Sequence, residues 1–247
     1  MKKIFISFSL ILALATLSLQ PVLSSDPITV NFNNFKKDDR IVKNFNGVAA
    51  GGPINVIITL GNTEGLRFEG DADAIATLIS EVKGSILIIR PQNSWTSWAR
   101  KYENKKITAY VSAKMIKSLT MSGSGNMSVT GLVKETGLAA TLSGSGSISA
   151  NVNVNNFNGV ISGSGNLNFS GHANDATITI SGSGSLTKKG GLAVGSLSTV
   201  ISGSGSVNIN ADNKINAVIS GSGSVNYSGN ASVEKRVVGS GSVRKTS

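Results

Sequence analysis

From Ser122 onward the chain alternates apolar and polar residues in short runs, and each run restarts after a Ser-Gly-Ser-Gly turn. The copies begin at Ser122, Ser143, Ser162, Ser181, Ser202 and Ser220, with a worn seventh at Val238-Gly239-Ser240-Gly241, so the intervals are 21, 19, 19, 21, 18 and 18 residues. The residue before each turn is apolar: Met121, Leu142, Ile161, Ile180, Ile201, Ile219 and Val237. So is the second residue after it: Met127, Ile148, Leu167, Leu186, Val207, Val225 and Val243. Val129, Ala150, Phe169, Ile209 and Tyr227 continue that inward face, while Ser128, Ser149, Asn168, Asn208 and Asn226 point outward. A period of two is a strand period, and a regular repeat of this length implies coils that stack as a solenoid around an apolar core.

Glycine at alternate turn positions permits the positive φ of a sharp corner and lets coils stack without side-chain bulk. Each coil has room for about three short strands. With strands about 4.8 Å apart, seven coils make a column roughly 30 Å tall. No strict six-residue spacing of Leu, Ile and Val runs through the repeats, which argues against a left-handed β-helix. The expected fold is all-β, a right-handed parallel β-helix of 18–21-residue repeats over 119–247, preceded by a β-rich lobe or cap over 43–118.

In that preceding part, Ile54–Ile58, Leu66–Phe68, Ser85–Ile89 and Ile107–Val111 read as strands, being short, β-branched and bounded by Gly, Pro or Asn. Between Asp71 and Val82, the spacing of Ile75, Leu78, Ile79 and Val82 behind possible Asp caps suggests a helical turn or short helix. Residues 25–42 read as a polar arm, with folding proper starting near Phe45. Whether the early strands form a separate lobe or the first coils of one helix stays open at this stage.

Residues 1–24 have the layout of a secretory signal peptide: Met1-Lys2-Lys3, an apolar run from Ile4 to Leu19, then small residues near Ser24. The protein is therefore expected to be exported, to the periplasm, the cell surface or the medium, with no membrane span after cleavage. It has no cysteine, so disulfides, thiolate metal sites and a Cys nucleophile are excluded together. The net charge of +10 falls to +8 without Lys2 and Lys3. This diffuse excess suits an anionic surface. It forms no clustered stripe of the kind nucleic acid would require.

The glycine turns do not carry catalytic or cofactor chemistry. No stretch reads Gly-x-Ser-x-Gly, none gains the third glycine of a dinucleotide loop, and none is followed by Gly-Lys-Ser/Thr. Calcium β-rolls need an Asp in each repeat, where this chain has Ser or Asn. His172, the single histidine, lies in Ser170–Asp175, read as a loop between coils, and nothing orients it with Asp175 and a serine as a triad. Glu135, Asp175, Asp212 and Glu234 occupy different phases of the repeat and make no carboxylate pair for sugar hydrolysis. Neither catalytic residues, metal nor cofactor are expected. The candidate contact is the segment 91–106, which holds both tryptophans and four basic residues. Its Trp95, Trp98, Arg100 and Tyr102 could stack on a sugar or meet an anionic polymer, or could simply pin a long hairpin loop.

With these motifs in order, namely Phe45-Asn46-Gly47-Val48, Gly52-Pro53-Ile54-Asn55-Val56, Gly61-Asn62, Gly70–Asp73, Glu81–Ile88, Ile107–Val111 and Leu119–Gly125, the chain resembles the bacterial family named putative auto-transporter adhesin, head GIN domain. The resemblance implies an exported β-helix, related in shape to pectin-lyase-like folds without their catalytic residues, with a role in adhesion. The expected partner is a glycan or an anionic cell-envelope polymer. Two other readings stay open: a polysaccharide-active enzyme on the same fold, and an architectural envelope protein with no soluble ligand.

Overall fold

The computed structural model describes residues 35–92, 105–187 and 191–246. They form a nearly all-β solenoid of about seven turns. In the repeats the strands are β9 (Asn126–Gly144), β10 (Ser147–Gly163), β11 (Asn166–Gly182), β12 (Ser185–Thr187), β13 (Leu192–Gly203), β14 (Ser206–Gly221), β15 (Ser224–Ser228), β16 (Ser232–Val238) and β17 (Ser242–Lys245). All pair in parallel, and their register puts one turn serine on the next: Ser143 on Ser162, Ser162 on Ser181, Ser181 on Ser202, Ser202 on Ser220. The apolar residues flanking each turn consequently stack in two columns, buried from Met121 to Ile219 and from Met127 to Val225. Phe157 and Phe169 fill the interior between them, with ring centroids 4.5 Å apart.

Several coils are long strands that bend, where about three short strands per coil were expected. Between β10 and β11 backbone pairing runs through the corners, so no loop forms there. Ser170–Asp175, expected as a loop, is one such bend inside β11: His172 pairs with Asn153 and Asp175 with Asn156 of the coil beneath. The turns bond in the same way, with Ser145 and Gly146 both donating their N–H to the Gly123 carbonyl at 3.1 Å.

The chain builds its first coils out of order. β2 (Gly47–Gly51) and β3 (Asn55–Leu60) make one coil, β6 (Ile86–Pro91) and β7 (Ile107–Ala113) another, and β8 (Ser118–Gly123) leads into β9. β2 lies between β6 and β8, and β3 lies between β7 and β9, all in parallel. The coil made first is thus second in the stack, and Gly51-Gly52-Pro53 is a further copy of the turn. Gly51 is in register with Ser122, Gly52 has φ of +108°, and its carbonyl accepts from Gly125 N–H at 3.1 Å.

Beyond β6 and β7 the pairing turns antiparallel. β4 (Gly65–Asp71) lies on β7, β1 (Phe35–Arg40) on β4, and β5 (Leu78–Lys83) on β6. The short helix α1 (Ala72–Ala76) starts where the Asp71 side chain accepts from Ala74 N–H at 3.0 Å, and it buries Ala74 and Ile75. The helical spacing expected through Val82 stops at Thr77. Leu78, Ile79 and Val82 belong to β5, because pairing with β6 satisfies every second backbone group of that segment. Arg40 ties this end together. It donates to the carbonyls of Leu78 at 2.8 Å and Ile75 at 3.3 Å, to Ser80 Oγ at 3.1 Å and to Asp38 at 3.1 Å, over the Phe68 ring.

Candidate functional site

Two outer faces flank the glycine turns. After the turn, each coil presents two outward side chains in register from coil to coil: Asn126, Ser147, Asn166, Ser185, and beside them Ser128, Ser149, Asn168. They bond along the stack. Ser147 Oγ donates to Asn126 Oδ1 at 2.7 Å, Ser185 Oγ to Asn166 Oδ1 at 2.5 Å, and Asn226 Nδ2 to Asn208 Oδ1 at 3.0 Å. Before the turn, the central outward column reads Thr120, Thr141, Val160, Thr179, Val200 and Val218, next to the stacked turn serines.

Among the described residues, neither face carries charge across the central coils. From Ser122 to Gly221 the charged residues described are Lys134, Glu135, Asp175, Asp212 and Lys214. All fall at the one corner that runs through Asn153–Asn156: Lys134 pairs with Asn153, Glu135 with Val154, Asp175 with Asn156, and Lys214 with Ser196, itself on Asp175. A bent strand exposes two consecutive residues at a corner, where a charge stays hydrated at little cost.

At its head the polar face meets a groove of about 630 Å³. The outward column Ser149, Ser128, Ile57, Tyr110, Arg67, Asp39 leads straight into it. Arg67 Nε lies 3.2 Å from Glu69 Oε1, and its guanidinium sits 5.1 Å from the Tyr110 ring centre. Lys43, Thr59 and Ser112 complete the walls, with Glu64 at the far side. Glu64 accepts from the N–H groups of Asn44 at 3.2 Å and Phe45 at 3.4 Å, the former at φ of +63°, and stands 3.9 Å from Lys114 Nζ.

Of the residues singled out from sequence, Trp95, Trp98, Arg100 and Tyr102 lie outside the described residues. Their segment is flanked by Gln92, whose N–H donates to the Thr77 carbonyl at 2.8 Å, and by Lys105, 2.9 Å from Asp71. His172 is exposed and bonds Asn174 Oδ1 at 3.2 Å, with no serine or carboxylate partner in the set of bonds it makes. Arg67 and Tyr110 escaped the sequence reading because they are far apart in the chain. The alternations Leu66-Arg67-Phe68 and Ala109-Tyr110-Val111 already point both side chains outward, but only the antiparallel β4–β7 register joins them.

Among the described residues there is no group of three or more His, Cys, Asp or Glu able to hold a metal ion, and no helix long and apolar enough to cross a membrane. No curated protein matches the chain. Among solved structures, it is similar to a putative adhesin from Bacteroides fragilis, with TM-score 0.75 at 21% identity over 87% of this chain and 98% of that one. It is also similar to a putative lipid binding protein from Parabacteroides distasonis and a putative adhesin from Parabacteroides merdae, each with TM-score 0.67 at 20% identity and the same coverage. At such identities the likeness is one of fold. The sequence of residues 44–231 matches the family model itself, from the coil of β2 and β3 to the last full repeat, and the chain belongs to the family described as putative auto-transporter adhesin, head GIN domain.

Proposed function

We propose that the protein is exported and acts, without catalysis, as a rigid surface that holds a glycan of the cell envelope. The observation that carries this reading is the amide and hydroxyl ladder from Asn126 to Asn226, uncharged among the described residues and bonded between coils at three pairs. Side chains fixed by such bonds offer donors and acceptors about 4.8 Å apart with little further ordering cost, so weak contacts to successive sugars add along one chain. The family name and the structures named as adhesins support the same class of role. Glu135, Asp175 and Asp212 share a corner but lie on alternate coils, with β10 and β13 between them, and Glu234 is paired with Lys214 at 3.0 Å, which favours binding over glycosidic cleavage. Trp95, Trp98, Arg100 and Tyr102 are proposed as the contact that selects among glycans.

The test is an array of glycans and cell-wall polymers probed with the purified protein at low and high salt. Binding retained at high salt is the expected result, because hydrogen bonds and stacking are screened little. Binding to anionic polymers only, lost on adding salt, overturns the reading in favour of a nonspecific basic surface. Absence of binding overturns it in favour of an architectural role.

A further inference from the structure

The groove at the head of the polar face holds what the described residues of the ladder from Asn126 to Asn226 lack, a cation, here anchored by two contacts. Arg67 is anchored twice, by Nε on Glu69 at 3.2 Å and by its plane against Tyr110 at 5.1 Å. Among the described residues its two terminal nitrogens make no hydrogen bond, and its side chain is 45% exposed. A guanidinium so held presents a planar pair of N–H donors that matches the two oxygens of a carboxylate, which a mobile lysine does not. Lys43 lines the same groove and makes no ion pair with the described residues, so it adds a second positive charge. Of the acids there, Glu64 is engaged by two backbone N–H groups and by Lys114, and Asp39 stands opposite Arg67 across the β1–β4 pair.

The groove also lies at the end of a track. Arg67 and Tyr110 occupy the same outward column as Ile57, Ser128 and Ser149, so a chain lying on the ladder reaches Arg67 without leaving the face. Thr59 and Ser112, paired across β3 and β7 on that face, place hydroxyls beside it. We propose that this groove is a subsite for a sugar bearing a carboxylate, with the carboxylate on the terminal nitrogens of Arg67 and the ring hydroxyls on Thr59 and Ser112. This rests on the glycan reading above and names the sugar class at one position of it. Asp39, in register with Arg67 across β1 and β4, repels an incoming carboxylate and so limits its affinity.

The experiment measures binding of glucuronate- and galacturonate-containing oligosaccharides, their carboxyl-reduced neutral counterparts and a sugar phosphate. The proteins are the full protein and its Arg67→Gln, Arg67→Lys and Asp39→Asn variants, with circular dichroism to confirm the fold of each. The wild type is expected to prefer the acidic oligosaccharide over its neutral counterpart by about tenfold or more, as for hydrogen bonds to a charged group. Arg67→Gln should abolish that preference, Arg67→Lys should restore it only in part, and Asp39→Asn should raise acidic binding. Equal binding of acidic and neutral chains by the wild type, or an Arg67→Gln variant that keeps the preference, overturns the subsite and leaves the glycan reading standing. Tighter binding of the sugar phosphate overturns the carboxylate assignment, and failure of every sugar to bind overturns both proposals.

Discussion

Gly184 faces Ile161 of the coil beneath it so closely that a β-carbon on the glycine would lie 2.5 Å from Ile161 Cγ2 and 2.6 Å from the Gly165 carbonyl oxygen. The same relationship recurs between Gly205 and Ile180, Gly223 and Ile201, and Gly241 and Ile219. From Gly165 onward the last glycine of each turn thus makes room for the apolar residue that precedes the turn below. The repeat couples its two most regular features, one coil apart.

Gly184→Ala should therefore destabilise the protein by about 1–3 kcal/mol, the usual range for overpacking a filled core. Gly137→Ala, whose added carbon would meet nothing nearer than 3.6 Å, should change stability by no more than about 0.5 kcal/mol. Thermal and urea unfolding of the two variants side by side checks this. An equal effect at both sites would mean that the coils slide apart easily enough to absorb a methyl group.

Thr199 is the buried polar residue of the core, in register between Ile178 and Ala217, and its hydroxyl has no hydrogen-bond partner. Thr199→Val keeps the shape and removes an unsatisfied group, so it should stabilise by about 1–2 kcal/mol. A lowered melting temperature would show that a partner for the hydroxyl exists in solution.

Arg40 holds β1, α1 and β5 to one another through three acceptors besides its ion pair with Asp38. Arg40→Met keeps much of the contact with Phe68 but leaves the Leu78 and Ile75 carbonyls short of a donor. Amide hydrogen exchange should speed up in β1 and β5 while β10 and β11 remain protected, since each solenoid coil depends mainly on its neighbours. Uniform loss of protection would instead make this end the keystone of the whole stack.

Trp95→Ala/Trp98→Ala tests the aromatic contact read from the sequence. The double variant should keep its circular dichroism spectrum and melting temperature while its glycan binding falls by tenfold or more, because aromatic stacking on a ligand is lost with both rings. Unchanged binding would remove this segment from the site. Binding lost together with stability would make the two rings structural.

The sequence by itself determined what is local and periodic. An apolar residue on each side of every Ser-Gly-Ser-Gly turn, in a strand period of two, requires those side chains to face one way. Identical turns 18–21 residues apart then stack with no change of register, as Ser143, Ser162 and Ser181 do. It was silent where partners are distant or where two local patterns compete. Ile75, Leu78, Ile79 and Val82 carry a helical spacing, yet the chain turns to strand at Leu78 because β6 supplies an antiparallel partner that the segment cannot announce. Placement of β2 and β3 between two coils made later, recognition of Gly51-Gly52-Pro53 as a turn of the same stack, and the meeting of Arg67 with Tyr110 were all decided by strand pairing across the chain. Pairing energy depends on which backbone edge is free when the coils assemble, a property of the folded stack and of no single segment.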